Sequence, residues 1–310
     1  MELMNSRKAY GEALVKLGAT DKNIVVLEAD LGKSTMSNMF GDEYPDRYFQ
    51  MGIAEQNMAS VGAGLALTGK TVFINSFAVF ATGRAYDQVR SSICIPKLNV
   101  KICGSSAGLS DYGDGKTHQS VDDIALMRVL PYMKIFSPVD AVETTQMVEA
   151  MCKYNGPCYI RINRNDLTPY TDPNEEYYIG KMPMIRDGKD VVVFATGVMV
   201  SQAVKAAESL EKEGISVRVV NVSTIKPLNV EALKGYCQSV KGIVTAEEHS
   251  IHGGLGSAVC EALSDSRLPI EILGLNDTFG RSGENYNILL EHFHLTPNDI
   301  ADKVKLVLKK

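Results

Sequence analysis

"QMGIAEQNMASVGAGLALTGKTVFINSF", residues 50–77, carries two periodicities back to back. Met58, Ala59, Gly62, Ala63 and Ala66 recur at i, i+3, i+4 and i+7, the spacing of one helical face, and Gly69 closes the run. "TVFINS" then reads as a strand. The spacing predicts a helix over 53–68, and it puts one carboxylate, Glu55, on the apolar face. An acid in a first helical turn complements the helix dipole and needs no other role. Pressed against small apolar neighbours, however, a carboxyl keeps its proton more readily and can share it with a buried basic partner. The helix itself offers no such cation, so the partner must come from elsewhere; a ligand nitrogen would serve.

The same alternation extends outward in both directions. "NIVVLEAD", "LNVKICG", "MKIFSP" and "CYIRIN" read as strands, with helices through "FATGRAYDQVRSS" and "DAVETTQMVEAMCKYN". Such βα repetition predicts a mostly parallel sheet covered by helices. Periodicity disappears between Asn165 and Asp190, where proline, acid and glycine accumulate. A second α/β pattern follows, from "DVVVFATG" to "PIEILGL" and two closing helices. The expected organisation is α/β in two domains, over 1–168 and 190–310, joined by a linker over 169–189.

With 310 residues, 45% hydrophobic and 22% charged, the chain can bury two cores. Its net charge of -5 comes without long like-charge blocks, which gives no electrostatic footprint for nucleic acid or an anionic membrane. No apolar stretch reaches the length of a membrane span, and "MELMNSRKAY" lacks the apolar core of a signal peptide, so a cytoplasmic location is expected. The six cysteines show no C-x-x-C pair and read as reduced core residues.

"PDRYFQMGIAEQNM", "RAYDQVR", "GDGKTHQ" and "INRND", in this order, resemble the pyrimidine-binding domain of the transketolase family of thiamine diphosphate enzymes. "ATG", "VVNVSTIKPLN" and "GGLGSAV" resemble that family's C-terminal domain. Each motif is common alone; the ordered set is specific and covers nearly the whole chain. The resemblance implies that Glu55 bonds N1′ of the cofactor's aminopyrimidine and shares a proton there. It implies that Phe77 and Phe80 flank the pyrimidine ring, although on the residues alone two phenylalanines after a strand read as core. Asp30 matches a further position near the cofactor. His118 and Asp114 match residues facing the bound sugar, where a lone loop histidine would otherwise read as a capping or surface group. Arg7, Ser34 and Arg164 match positions that hold a sugar phosphate, in keeping with the bidentate pairing of guanidinium and phosphate.

Glu55 and His118 are therefore the expected catalytic residues, and Arg84, Tyr86 and Asp87 are expected to be structural or to contact a subunit. One departure concerns "CGSSAGL", where Gly104 and Ser105 stand near a position at which many transketolases carry a further histidine. His249 and His252 read as loop residues. "GDG" at 113–115 also occurs in the family's diphosphate-binding domain, but no downstream asparagine pair follows it here. No metal ligand is assigned to this chain.

The sequence opens directly on the pyrimidine domain, so the resemblance to split transketolases implies half an active site. A separate N-terminal subunit would hold the diphosphate and its Mg²⁺ or Ca²⁺, in a heterotetramer of two plus two. The implied activity is transfer of a two-carbon ketol unit between sugar phosphates. Rival readings are a deoxyxylulose-phosphate-synthase-like subunit, a 2-oxo acid dehydrogenase β-like subunit, and a non-catalytic partner of the same fold. The "THQ" loop argues against the dehydrogenase, and Arg7 before the first helix argues for transketolase.

Overall fold

The computed structural model describes residues 3–310. The helix predicted over 53–68 runs Glu55–Leu67, with Thr68 as its cap and Gly69 in the left-handed region that ends it. Its buried residues, Glu55, Met58, Ala59, Gly62 and Ala63, are those of the predicted face. Gly62 is small for a packing reason: a Cβ there would stand 3.0 Å from the Ile74 methyl of the strand Thr71–Phe77. Each large apolar side chain buried in this way stabilises the fold by about 1.5–3 kcal/mol.

That strand lies inside a seven-stranded sheet ordered Thr224–Lys226, Lys134–Phe136, Cys158–Ile162, Val100–Ser105, Thr71–Phe77, Ile24–Glu28, Tyr48–Gln50. All neighbouring pairs are parallel except at the Thr224–Lys226 edge, which is antiparallel. From Ile24–Glu28 the chain first steps out to Tyr48–Gln50 and then returns to Thr71–Phe77. This reversal opens a crevice beyond the carboxyl ends of the strands, where ligands of parallel sheets bind.

A second, five-stranded sheet is ordered Ile270–Leu275, Gly242–Ser250, Val191–Ala195, Val217–Asn221, Met184–Arg186, and only its last pair is antiparallel. The α/β class with mostly parallel sheets is as the sequence predicts. Two features depart from the sequence reading. Thr224–Lys226 leaves the second half of the chain to extend the first sheet, so the two halves interlock. His249 is not a loop residue: Gly242–Ser250 continues through it as a strand, and its side chain is fully buried. All six cysteines are free. Among the described residues no helix is long and apolar enough to cross a membrane.

Candidate active site

Glu55 opens its helix immediately beyond the strand Tyr48–Gln50, at the carboxyl edge of the first sheet. It is 1% exposed, and both its oxygens accept hydrogen bonds from Arg84 Nη1, at 2.8 and 3.0 Å. The partner comes from elsewhere in the chain, as the helix face requires, but the sequence reading gave Arg84 a structural or contact role. Arg84 reaches Glu55 because residues Phe80–Arg84 wind as a π-helix, a geometry frequent at functional sites. The Arg84 side chain is 46% exposed, so one end of this ion pair is buried and the other lies open to solvent. Its guanidinium lies 4.5 Å from the Phe80 ring centroid.

Phe77 ends its strand and Phe80 begins the π-turn; their rings are stacked at 15° with centroids 6.2 Å apart. His118 stands edge-on to both, 5.3 Å from Phe80 and 6.2 Å from Phe77. Its Nδ1 is 3.0 Å from the Thr117 hydroxyl. Glu55, Arg84, Phe80, Phe77 and His118 thus form one continuous cluster, although His118 lies 63 residues along the chain from Glu55.

A second cluster forms where Met4–Asn5 pairs antiparallel with Asp166–Leu167. This small sheet brings Arg7, in the first turn of the helix Ser6–Thr20, near Arg164, which follows the strand Cys158–Ile162. Burial, and then the neighbouring Arg164 charge, push the Arg7 guanidinium below its ordinary value. Arg7 Nη1 donates to the Ser34 carbonyl at 3.0 Å, while its buried Nε has no partner among the described residues. Ser34 therefore meets Arg7 through its backbone. Arg164 Nη1 donates to Asp111 Oδ2 at 2.8 Å. Two like charges held together with an unpaired N–H make a ready anion site. Asp30 and Asp114 are exposed and lie on the loops that rim the two clusters. Asp30 adopts a positive φ of 63°, and its N–H donates to Gln50 Oε1 at 2.8 Å.

Sequence reasoning missed two acids that hold these loops. Asp111 is buried and orients Arg164; its place two residues before the "GDGKTHQ" stretch was the available signal. Glu28 accepts from the N–H groups of Ala29 and Leu31, both at 3.0 Å, and from the Thr35 and Ser37 hydroxyls, so it organises the loop carrying Asp30 and Ser34. Burial pushes the Glu28 carboxyl up to about 7 against these hydrogen bonds.

The arrangement fits an aminopyrimidine. A flat apolar face is provided by the two phenylalanines, and a buried carboxylate sits beside it. Among the described residues the side-chain cation on that carboxylate is Arg84, whose own side chain is half exposed. Among the described residues no group of three His, Cys, Asp or Glu side chains is placed to hold a metal ion.

Comparison with known proteins gives the same outline. The chain matches the transketolase pyrimidine-binding domain over residues 2–169 and the transketolase C-terminal domain over 180–300. It is 43% identical over 308 residues to a putative transketolase C-terminal section of Methanocaldococcus jannaschii, covering 98% of this chain and 96% of that protein. It is 38% identical to a 6-deoxy-6-sulfo-D-fructose transketolase subunit of a Clostridium species, covering 95% and 92%. A solved split-gene transketolase, described as an inactive β4 tetramer, superposes with a TM-score of 0.90 at 43% identity over 99% of each chain. With both domain models matched and full-length relatives above 30% identity, the chain belongs to the transketolase family, as a subunit of the split kind.

Proposed function

We propose that this chain is the pyrimidine-side subunit of a thiamine-diphosphate-dependent transketolase, which moves a two-carbon ketol unit from a ketose phosphate to an aldose phosphate. The observation that carries the reading is the joining of Glu55, the Phe77–Phe80 face and His118 into one cluster, with Asp111 of the His118 loop paired to Arg164. When bound, the cofactor supplies the carbanion that ketol transfer needs.

The chain's own residues do the rest. Glu55 would offer a carboxylate oxygen to the pyrimidine N1′, with Arg84 giving up one of its two contacts to that carboxylate. Phe77 and Phe80 exclude water from the ring face and fix its plane. His118, set edge-on to that face, donates to the substrate oxygen on which charge develops, and Asp114 binds a sugar hydroxyl. Arg7 and Arg164, with Ser34 beside Arg7, clamp the phosphate. Asp30 closes the cofactor side of the crevice.

A separate N-terminal transketolase subunit completes the site, holding the diphosphate and its Mg²⁺ or Ca²⁺, in an assembly of two plus two. The inactive β4 state named for the solved relative supports a chain that lacks activity on its own. The Clostridium relative's sulfosugar substrate indicates that the sugar varies among such subunits, so the phosphate clamp is the specificity element to test.

The deciding experiment reconstitutes the chain with a diphosphate-domain subunit, thiamine diphosphate and Mg²⁺. Xylulose 5-phosphate with ribose 5-phosphate is expected to give a three-carbon aldose phosphate and a seven-carbon ketose phosphate, and the chain alone is expected to give nothing. Turnover by the chain alone would sink the split-site reading. Condensation of pyruvate with glyceraldehyde 3-phosphate instead would assign the deoxyxylulose-phosphate-synthase activity.

A further inference from the structure

The loop that carries Asp111, Asp114 and His118 belongs to the first domain, yet much of its anchoring comes from the second. Gln119, almost wholly buried, donates through Nε2 to three carbonyls: Leu109 at 3.4 Å, Asp111 at 3.1 Å and Arg281 at 2.9 Å. Two of these lie within the loop and the third lies on the C-terminal segment 276–285. That segment is shaped to receive it. A Cβ on Gly280 would collide with the Gln119 amide oxygen, and the Gly283 N–H donates to the Tyr112 carbonyl at 2.9 Å. Gly115, at a φ of 75°, lies so close to Ser282 that a side chain there would collide with it.

The near end of the loop is held by a different element. Glu248, buried on the strand Gly242–Ser250, accepts from the Leu109 N–H at 2.8 Å and from Asn163 Nδ2 at 3.4 Å. A Cβ on Gly108 would strike its carboxyl group. The far end is tied where the Ser250 N–H donates to the Val121 carbonyl at 2.7 Å. From 108 to 121 the loop is bound at both ends and in the middle by one domain, while its Asp111 and His118 side chains reach Arg164 and Phe80 of the other.

We propose that the C-terminal domain is the clamp of the substrate-facing loop, with Gln119 and Glu248 as its positioning residues. The inference deepens the reading given above, since it rests on that loop facing the sugar phosphate. Neither residue touches the site. Each acts by fixing backbone that places His118 against Phe80 and Asp111 against Arg164. The cofactor-facing residues Glu55, Phe77 and Phe80 lie on other elements, so the clamp governs the sugar and leaves cofactor affinity alone.

The test uses the full chain in four variants: Gly280→Ala, Gln119→Leu, Glu248→Leu and Glu248→Gln. Amide hydrogen exchange is read on the chain itself, and steady-state kinetics are read on the reconstituted pair. In the first three variants, exchange across 109–119 is expected to quicken while that of Thr71–Phe77 and Val191–Ala195 keeps its wild-type rate. The KM for sugar phosphate is expected to rise about tenfold or more, with cofactor affinity within about twofold of wild type. Glu248→Gln keeps an acceptor for the Leu109 N–H and is expected to stay near wild type.

Unchanged loop exchange in the first three variants overturns the clamp. Quickened exchange with an unchanged KM overturns the positioning role. A wild-type pair without sugar phosphate turnover sinks the proposed function, and the exchange result still decides the clamp.

Discussion

The two domains present opposite faces at the same topological place. At the carboxyl edge of the seven-stranded sheet, charge is left reachable: Glu55 is buried, but the Arg84 that pairs with it is half exposed, and Arg164 is 38% exposed. At the corresponding edge of the five-stranded sheet, Glu247, Glu248 and His249 are consecutive and buried. There the acids hold backbone. Glu247 accepts from the Leu255 and Gly256 N–H groups, at 2.6 and 2.8 Å, and so caps the helix Leu255–Ala262, while Glu248 holds Leu109 of the other domain. A parallel sheet offers a ligand crevice at this edge by virtue of its topology. In the second domain the crevice is occupied by the protein's own loops, and the edge has become an attachment surface for the first.

The widest separation between the two edges is expected in catalysis. Glu55→Gln keeps the shape and removes the carboxylate, and turnover at saturating cofactor is expected to fall by about 10²–10⁴. Steady-state kinetics of the reconstituted pair check this, and wild-type turnover would remove Glu55 from the mechanism. The next largest effect lies between the domains. Arg161 and Asp123 form a buried pair at 2.8 and 3.1 Å, and Arg161 also donates to the Glu248 carbonyl at 3.2 Å. Asp123→Ala strands a buried guanidinium and the Tyr159 hydroxyl, a loss of about 3–5 kcal/mol. A denaturant midpoint within error of wild type would show that this attachment is not what holds the edge. The third expectation concerns Arg164→Gln. Losing one charged phosphate donor is expected to raise the KM for phosphorylated sugars by about 10–100-fold, with little change for an unphosphorylated analogue. Equal effects on both substrates would move Arg164 out of the phosphate clamp.

How much of this was legible in sequence followed from periodicity. The buried face of Glu55–Leu67 was legible because small and apolar residues recur with the helical period, and the carboxylate stood out against them. The Arg84 partnership was not legible. Residues Phe80–Arg84 and Val89–Cys94 are π-wound, and each such turn carries an extra residue, so a 3.6-residue wheel points Arg84 the wrong way. The Arg7–Arg164 pairing depends on a two-residue sheet too short to leave a pattern. His249 read as a loop residue, yet the strand Gly242–Ser250 runs through it. Its buried acids are satisfied by N–H groups far away in sequence, which no local window contains.

The smallest effect is expected in stability against pH, and it distinguishes the buried acids that serve the fold. Burial pushes Glu28, Glu143, Glu247 and Glu248 each up to about 7. A carboxyl raised in the fold binds its proton more tightly there than in the unfolded chain. Its contribution is complete below the unfolded value near 4.5 and is lost as pH rises through about 7. His249, lowered by burial, opposes this as pH falls below its ordinary 6.5, with one proton against four. Stability is therefore expected to decline between pH 5 and 8. Glu143 isolates one step of that decline. It accepts from the Val139 N–H at 2.7 Å and from Asn221 Nδ2 at 3.1 Å, across the domain boundary, while the Asn221 amide oxygen is buried without a partner among the described residues. In Glu143→Gln the carbonyl keeps an acceptor for the Val139 N–H, and a flip of the Asn221 amide would turn its oxygen toward the new amide donor. The variant's Tm is expected to match or exceed wild type at pH 8 and to fall below it at pH 5, and its unfolding free energy is expected to vary less with pH by an amount on the order of 1–3 kcal/mol. A Tm difference that stays constant from pH 5 to 8 would mean that Glu143 does not change protonation in this range, and that the paired amide alone sets its contribution to the interface.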